Sequence, residues 1–311
     1  MNAVTATAPG KAILFGEHAV VYGRPAIAVP VLEVEASAEV RPAGTGFEIR
    51  AADLGLVFSL DDAPPGDPLA VAVRLTLEAL GREPPAVTLT IRSTIPVASG
   101  LGSGAAVSVA VIRAVARYLG AELADGIVSE LAYEVEKIHH GTPSGIDNTV
   151  VAFRRPVYYR RGQPIETLRI GRPFQLLIAD TGRPSPTKAT VADVRAAWRE
   201  RPEHYEVLFD EIAQLVEAAR AAIERGKTEA LGPLMDRNQM FLEELGVSSP
   251  ELQRLIEAAR AAGAGGAKLS GGGRGGNLIV LVEPETAGPV REALGQAGAA
   301  NVIATLVGGG E

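Results

Sequence analysis

The sequence predicts an α+β protein of two domains, and three observations carry that expectation. The chain has 311 residues, and at roughly 150 residues per domain two domains are the natural division. Apolar–polar alternation, the period of a half-buried strand, recurs along it. Beside these stretches stand longer apolar ones that only a helix fits, so each half of the chain mixes the two element types.

Leu32, Val34, Ala36, Ala38 and Val40 alternate with Glu33, Glu35, Ser37 and Glu39, which predicts a strand. Leu69 to Leu80 reads as a helix bounded by Pro68 and Gly81. Val87, Leu89 and Ile91 alternate with Thr88, Thr90 and Arg92 and predict a second strand. A turn-rich segment from Ser93 to Gly104 leads into Ala105 to Leu119, interrupted only by Ser108, Arg113 and Arg117, hence a mostly buried helix. Tyr133 to His140 continues a further helix, ended by Gly141, Pro143 and Gly145. From Val150 to Arg172 short strand-like pieces return, broken by Pro156, Gly162 and Pro164, and the boundary is expected near Arg172, giving domains 1–172 and 173–311. Gln175 to Ala179 predicts a strand, and three helical patterns follow from about Lys188 to Glu244. Ser248 and Ser249 before Pro250, with capping-box spacing from Ser248 to Glu251, open a helix to Ala262. Leu278 to Val282 and Asn301 to Val307 supply late strands around a last helix, Pro289 to Gly295.

Composition narrows the function. Hydrophobic residues at 47%, charged at 22% and aromatic at 5% describe an ordinary globular protein rather than one that binds by stacked rings. Thirty Lys and Arg against 37 Asp and Glu leave a net charge of −7, which argues against nucleic acid as a partner. An anionic ligand must then be held by local donors or a metal ion. The absence of cysteine excludes disulfides, thiolate catalysis and Cys-ligated zinc, and four histidines leave little for a His-rich metal site. The amino terminus lacks a basic segment followed by a long apolar one, and no run approaches the ~18 apolar residues that span a bilayer. The expectation is a cytoplasmic protein without a membrane partner, with a homodimer among the possible assemblies.

Glycine concentrates in three segments that suit no regular element: Pro9-Gly10-Lys11 with Gly16-Glu17-His18, then Pro96 to Gly104, then Lys268 to Gly276. The second is the most informative. Glycines let the backbone approach a ligand and adopt positive φ, and the helix opening after them aims unpaired N–H groups and a positive dipole end at one spot. That suits phosphate, although a tight turn that binds nothing fits the same residues. The third segment either wraps a ligand or forms a corner before the strand after Asn277, and Lys268 and Arg274 add positive charge there. Gly226-Lys227-Thr228 imitates a P-loop ending, but Ala221 replaces the required glycine within a helical pattern. Gly100, Gly102 and Ala105 fit the dinucleotide fingerprint only loosely, since Pro96 separates them from the preceding strand.

Glu136 and Asp147 lie within reach of one pocket if the chain folds back at Gly141 to Gly145. Two carboxylates suit metal-assisted phosphoryl transfer, one holding Mg²⁺ and the other orienting or deprotonating an alcohol. A helix-face ion pair for Glu136 and a turn bond for Asp147 are the plainer alternatives. Lys11 beside Glu17 and His18 has the converse logic, a cation offsetting negative charge on oxygen. His139 and His140 adjoin, but no second His pair supports zinc.

Together these segments resemble the galactokinase, homoserine kinase, mevalonate kinase and phosphomevalonate kinase superfamily, and within it the mevalonate kinase family. The resemblance covers nearly the whole chain and is carried by Pro9 to Gly23, Gly100 to Ala106, Gly141 to Asn148, Thr181-Gly182-Arg183 with Thr187-Lys188, Leu234 to Gln239, Leu245 to Leu252 and Ala267 to Gly276. It implies an amino-terminal domain of ribosomal-protein-S5-like topology, a ferredoxin-like carboxyl-terminal domain and ATP-dependent phosphorylation of the 5-hydroxyl of (R)-mevalonate. Under it Asp147 is the base or orienting carboxylate, Lys11 pairs with it and favours the alkoxide, and Glu136 with Ser103 binds Mg²⁺. Lys11, Glu17, His18, Asp147 and Thr181 would contact the substrate. Pro96, Ser99, Gly100, Leu101, Gly102, Ser103, Gly104, Ala105, Gly271, Gly272 and Gly273 would contact ATP. Two departures stand out: Gly104 follows Ser103 where the family usually carries a second serine, and Arg274 interrupts a run of small residues.

Overall fold

The computed structural model describes residues 2–96, 99–140 (side chains to 138) and 143–309. Val97, Ala98, Gly141, Thr142 and the side chains of the His139–His140 pair lie outside the described residues. The chain forms two compact units that are not consecutive in sequence: one takes residues 1–10, 34–96 and 102–154, the other 11–33, 97–101 and 155–311.

In the first unit, β1 (Val4–Phe15) contributes its opening residues and β2 (Ala26–Pro42) its later ones. Then come β3 (Phe47–Ala51), β4 (Leu56–Ser59), α1 (Pro68–Leu80), β5 (Val87–Ser93), α2 (Ser103–Tyr118), α3 (Asp125–His140) and α4 (Ile146–Phe153). Here β5 pairs antiparallel with β2, from Ala36 opposite Ser93 to Pro42 opposite Val87, and parallel with β3, which in turn pairs antiparallel with β4. Helices α1 to α4 pack on one another. The α1 entry is built locally: the Asp67 carboxylate accepts from Ala70 N at 2.9 Å, Pro68 takes the first turn and Gly81 closes the helix at φ 60°. Helix α2 is mostly Ala and Val and is buried almost all round, as its sequence requires.

In the second unit the early part of β2 pairs with β6 (Val157–Tyr159), and β6 with β7 (Glu166–Thr167). The remainder is β8 (Phe174–Asp180), α5 (Thr187–Glu200), α6 (Pro202–Glu224), α7 (Leu231–Glu244), α8 (Pro250–Ala261), β9 (Gly266–Ser270), β10 (Asn277–Val282), α9 (Pro284–Gln296) and β11 (Asn301–Val307). The late strands form a four-stranded antiparallel sheet in the order β11-β8-β10-β9. Helix α7 packs on β9, and α8 and α9 pack on each other and on that sheet. The β10 run Asn277–Val282 is buried at every position, the mark of a strand covered on both faces.

Several expectations are corrected. Pro9-Gly10-Lys11 is not a loop but the middle of β1. Leu32 points outward at 53% exposure, because Leu32 and Glu33 are both exposed and the alternation resumes in phase only from Val34. Residues 150–153 belong to helix α4, whose single turn before Val150 is too short to register as a helical period. Ser249, not Ser248, caps α8, its hydroxyl accepting from Leu252 N at 3.3 Å, while the Ser248 hydroxyl accepts from Gln239 and Gln253. Helix α9 starts at Pro284 with a Glu283–Thr286 capping box and carries Pro289 inside it, so that proline does not mark its entry. Gly226 sits in a left-handed turn after α6, not in a helix.

Candidate active site

The second unit alone assembles four of the sequence segments. Lys11, in the middle of β1, is 3% exposed, and its backbone N donates to Leu101 O at 2.9 Å. Gly16 follows at φ 96°, where an added Cβ would lie 2.5 Å from Pro25 O, so no other residue fits the turn that delivers Glu17 and His18. Both are buried, and His18 itself takes φ 61°, uncommon for a residue with a side chain.

Three ties join this segment to the strand and loop at 268–272. The Ser270 hydroxyl accepts from Ile13 N at 3.0 Å and donates to Ile13 O at 2.9 Å. The Glu17 carboxylate accepts from the Lys268 ammonium, which also donates to Leu269 O at 2.7 Å. The His18 imidazole lies with Nε2 3.1 Å from Gly272 O. A carbonyl only accepts, so Nε2 carries the proton and Nδ1 is left as an acceptor. Glu17 and Lys268 are fully buried side chains. Burial pushes the Glu17 carboxyl up against the pull of Lys268, and burial pushes the Lys268 ammonium down. Burial also holds His18 at about 4; its bond to Gly272 opposes that shift and the charge of Arg274 adds to it.

The loop after β9 is pinned from several sides. Gly273, at φ 75°, packs so tightly that a Cβ would fall 2.0 Å from Val247 O. The Ser185 hydroxyl donates to Gly273 O at 2.9 Å, and both the backbone N and the hydroxyl of Thr181 donate to Gly276 O at 2.9 Å. The Asn277 amide donates to Ser99 O at 2.6 Å, which brings residues 99–101 to the same loop. Arg274, at φ 55°, donates from its backbone N to Val247 O at 2.8 Å, from Nε to Gly246 O at 3.2 Å and from Nη1 to Asp193. It is therefore engaged with α5 and with the residues that follow α7.

In the first unit Gly102, at φ 73°, is the N-cap of α2, with Ser103, Gly104 and Ala105 as its first turn. A glycine cap brings no side-chain acceptor, so the N–H groups of that turn retain their pull on anions. Glu136 is 6% exposed on α3. Asp147 occupies the first turn of α4 and is half-buried. The two helices are stitched together by Asn148 Nδ2, which donates to Ser129 O at 3.0 Å and to its hydroxyl at 2.9 Å. Thr149 adds a bond to Gly145 O at 2.7 Å. The helices of Glu136 and Asp147 thus pack together, as folding back at Gly145 requires. Among the described residues no three His, Cys, Asp or Glu side chains cluster as a metal site.

The sequence marks Lys268 only as a positive charge near a loop; its pairing with Glu17 needs the register of β9 against the first segment. Ser185 and Asn277 have no periodic or motif signature at all.

Two family models place the chain in a class, the kinases described as GHMP kinases. The family model for the GHMP kinases N terminal domain matches residues 68–155, and that for GHMP kinases C terminal matches residues 219–300. A mevalonate kinase of Thermococcus sibiricus is 37% identical over 323 residues, covering 97% of this chain and 96% of its own length. One from Pyrococcus horikoshii is 38% identical over 301 residues, covering 89% and 88%. The crystal structure of L. major mevalonate kinase in complex with R-mevalonate superposes with a TM-score of 0.82 at 29% identity, over 97% of this chain and 95% of that one. That of the Methanococcus jannaschii mevalonate kinase gives 0.83 at 26%, over 97% and 96%. The chain belongs to the mevalonate kinase family.

Proposed function

We propose that the chain transfers the γ-phosphoryl group of ATP to the 5-hydroxyl of (R)-mevalonate. The observation that carries this reading is the buried polar set of Lys11, Glu17 and His18 held against a glycine-rich loop, in a chain of this family. Burying so many ionisable groups is costly and suits a polar ligand better than a core.

In the proposed reaction Asp147 orients the hydroxyl and takes its proton as the new O–P bond forms and the bond to ADP breaks. Lys11 offsets the developing charge on the alcohol oxygen. Lys11, Glu17, His18 and Thr181 position the hydroxy acid. Pro96, Ser99, Gly100, Leu101, Gly102, Ser103, Gly104 and Ala105 contact ATP, as do Gly271, Gly272 and Gly273, with the N–H groups of the first turn of α2 suited to phosphate. Glu136 and the Ser103 hydroxyl are hard oxygen donors of the kind Mg²⁺ takes, one or two from protein with water completing the shell. The ion, when bound, neutralises charge on the phosphate oxygens. The functional boundary near Arg172 is proposed on the same footing, with residues 1–172 carrying most of these contacts. No described helix is long and apolar enough to cross a membrane, and we place the enzyme in the cytoplasm.

The test incubates the protein with ATP, Mg²⁺ and a panel of alcohols including mevalonate and phosphomevalonate and follows ADP. Mevalonate-dependent release in the wild type and at least a thousandfold slower release by Asp147→Asn, with unchanged circular dichroism, are expected. Preference for another alcohol overturns the substrate, and wild-type turnover by Asp147→Asn overturns the role of that residue.

A further inference from the structure

Lys268 is a lysine where lysines are rarely tolerated: on a strand buried at every position, with its side chain fully enclosed. Its ammonium is spent on the Glu17 carboxylate and on Leu269 O at 2.7 Å. The pair is lopsided. One carboxylate oxygen of Glu17 takes the ammonium, while Oε2 is buried with no hydrogen-bond partner among the described residues. An ion pair that served only to join β9 to the first segment would satisfy both oxygens, because an orphaned buried acceptor is penalised. Ser270 already makes that join through two bonds to Ile13, at 3.0 and 2.9 Å. The next residue, His18, is fixed by Gly272 O so that its Nδ1 is also an acceptor. Two consecutive residues therefore present acceptors and no donors, the complement of a ligand's hydroxyl hydrogens.

We propose that Lys268 is a positioning residue for the alcohol substrate: it holds Glu17 immobile so that Oε2 accepts a hydroxyl hydrogen of the bound hydroxy acid. The inference rests on the proposed mevalonate kinase reaction. Lys268 touches neither substrate nor phosphate in this account; it acts through Glu17, and the effect falls on binding of the alcohol rather than of ATP.

The experiment measures steady-state kinetics of wild type, Lys268→Met, Glu17→Gln and the double variant, with unfolding midpoints for each. The KM for mevalonate rises at least tenfold in Lys268→Met and in the double variant, with KM for ATP within twofold of wild type. Removing both charges relieves the buried-charge penalty, so the double variant recovers the unfolding midpoint without recovering the KM; it decides the matter if Lys268→Met fails to fold. A double variant that regains wild-type stability and also wild-type KM makes the pair structural and overturns the proposal. A rise in KM for ATP equal to that for mevalonate overturns it too. A wild type that releases no ADP with mevalonate instead overturns the reaction on which it rests.

Discussion

Acid is expected to weaken the protein through His18, by an amount the structure sets. The imidazole is 5% exposed and donates to Gly272 O at 3.1 Å. Burial holds it at about 4 rather than the ordinary 6.5; Gly272 O resists that depression and the nearby Arg274 charge deepens it. Between those two values the unfolded chain binds the proton and the folded chain does not, so stability falls as the pH falls. The contribution is whole above about 6.5 and is lost by about 4. At about 1.4 kcal/mol for each pH step, the window holds about 3 kcal/mol. Carboxylates titrate in the same range, so the quantity to read is a difference. Urea unfolding of wild type and His18→Gln is measured from pH 7.5 to 4.5; the Gln amide keeps a donor toward Gly272 O and has no proton to gain. Wild type loses about 2 to 3 kcal/mol more than the variant across this span. Curves that run parallel refute the burial argument.

Two other substitutions probe the same unit. Arg274→Gly removes an exposed ion pair with Asp193, worth at most about 1 kcal/mol, and relieves a side chain at φ 55°. Stability stays within about 1 kcal/mol of wild type, while KM for ATP rises severalfold as the loop loses its tether to α5; an unchanged KM refutes the tether. Asn238 on α7 is fully buried, with neither amide atom bonded among the described residues. Asn238→Leu is expected to be neutral or stabilising by about 1 kcal/mol in chemical denaturation, and a loss above about 1 kcal/mol would reveal a partner for the amide.

The elements were legible where the periodic signal is long and uninterrupted. Asn301 to Val307 is read from sequence with its bounds intact, and α1 and α2 follow from long, mostly apolar stretches too long for a strand, α1 with Pro68 and Gly81 at its ends. Failures fall where one residue type serves two purposes. Pro9 and Gly10 look like loop residues but lie in a strand, and Pro289 looks like a helix entry but lies inside α9. Helix α4 is only eight residues long, and its Val150 and Val151 imitate a strand. The site is legible as segments, because glycine and charge cluster locally. What joins them is not: Glu17 and Lys268 are 251 positions apart, and no local pattern encodes such a pairing.

The loop after β9 has a polarity as well as a shape. Three of its carbonyls, at Gly272, Gly273 and Gly276, each receive a hydrogen from His18, Ser185 or Thr181. Turning any one peptide over would forfeit about 1 kcal/mol and leave a buried donor stranded. The ribbon is thereby locked in one sense, with its amides at Arg274 and Gly276 donating in turn to Val247 O at 2.8 Å and Arg183 O at 2.7 Å. A stretch that composition alone would describe as floppy is held in one conformation, its donors and acceptors alike engaged by the residues around it.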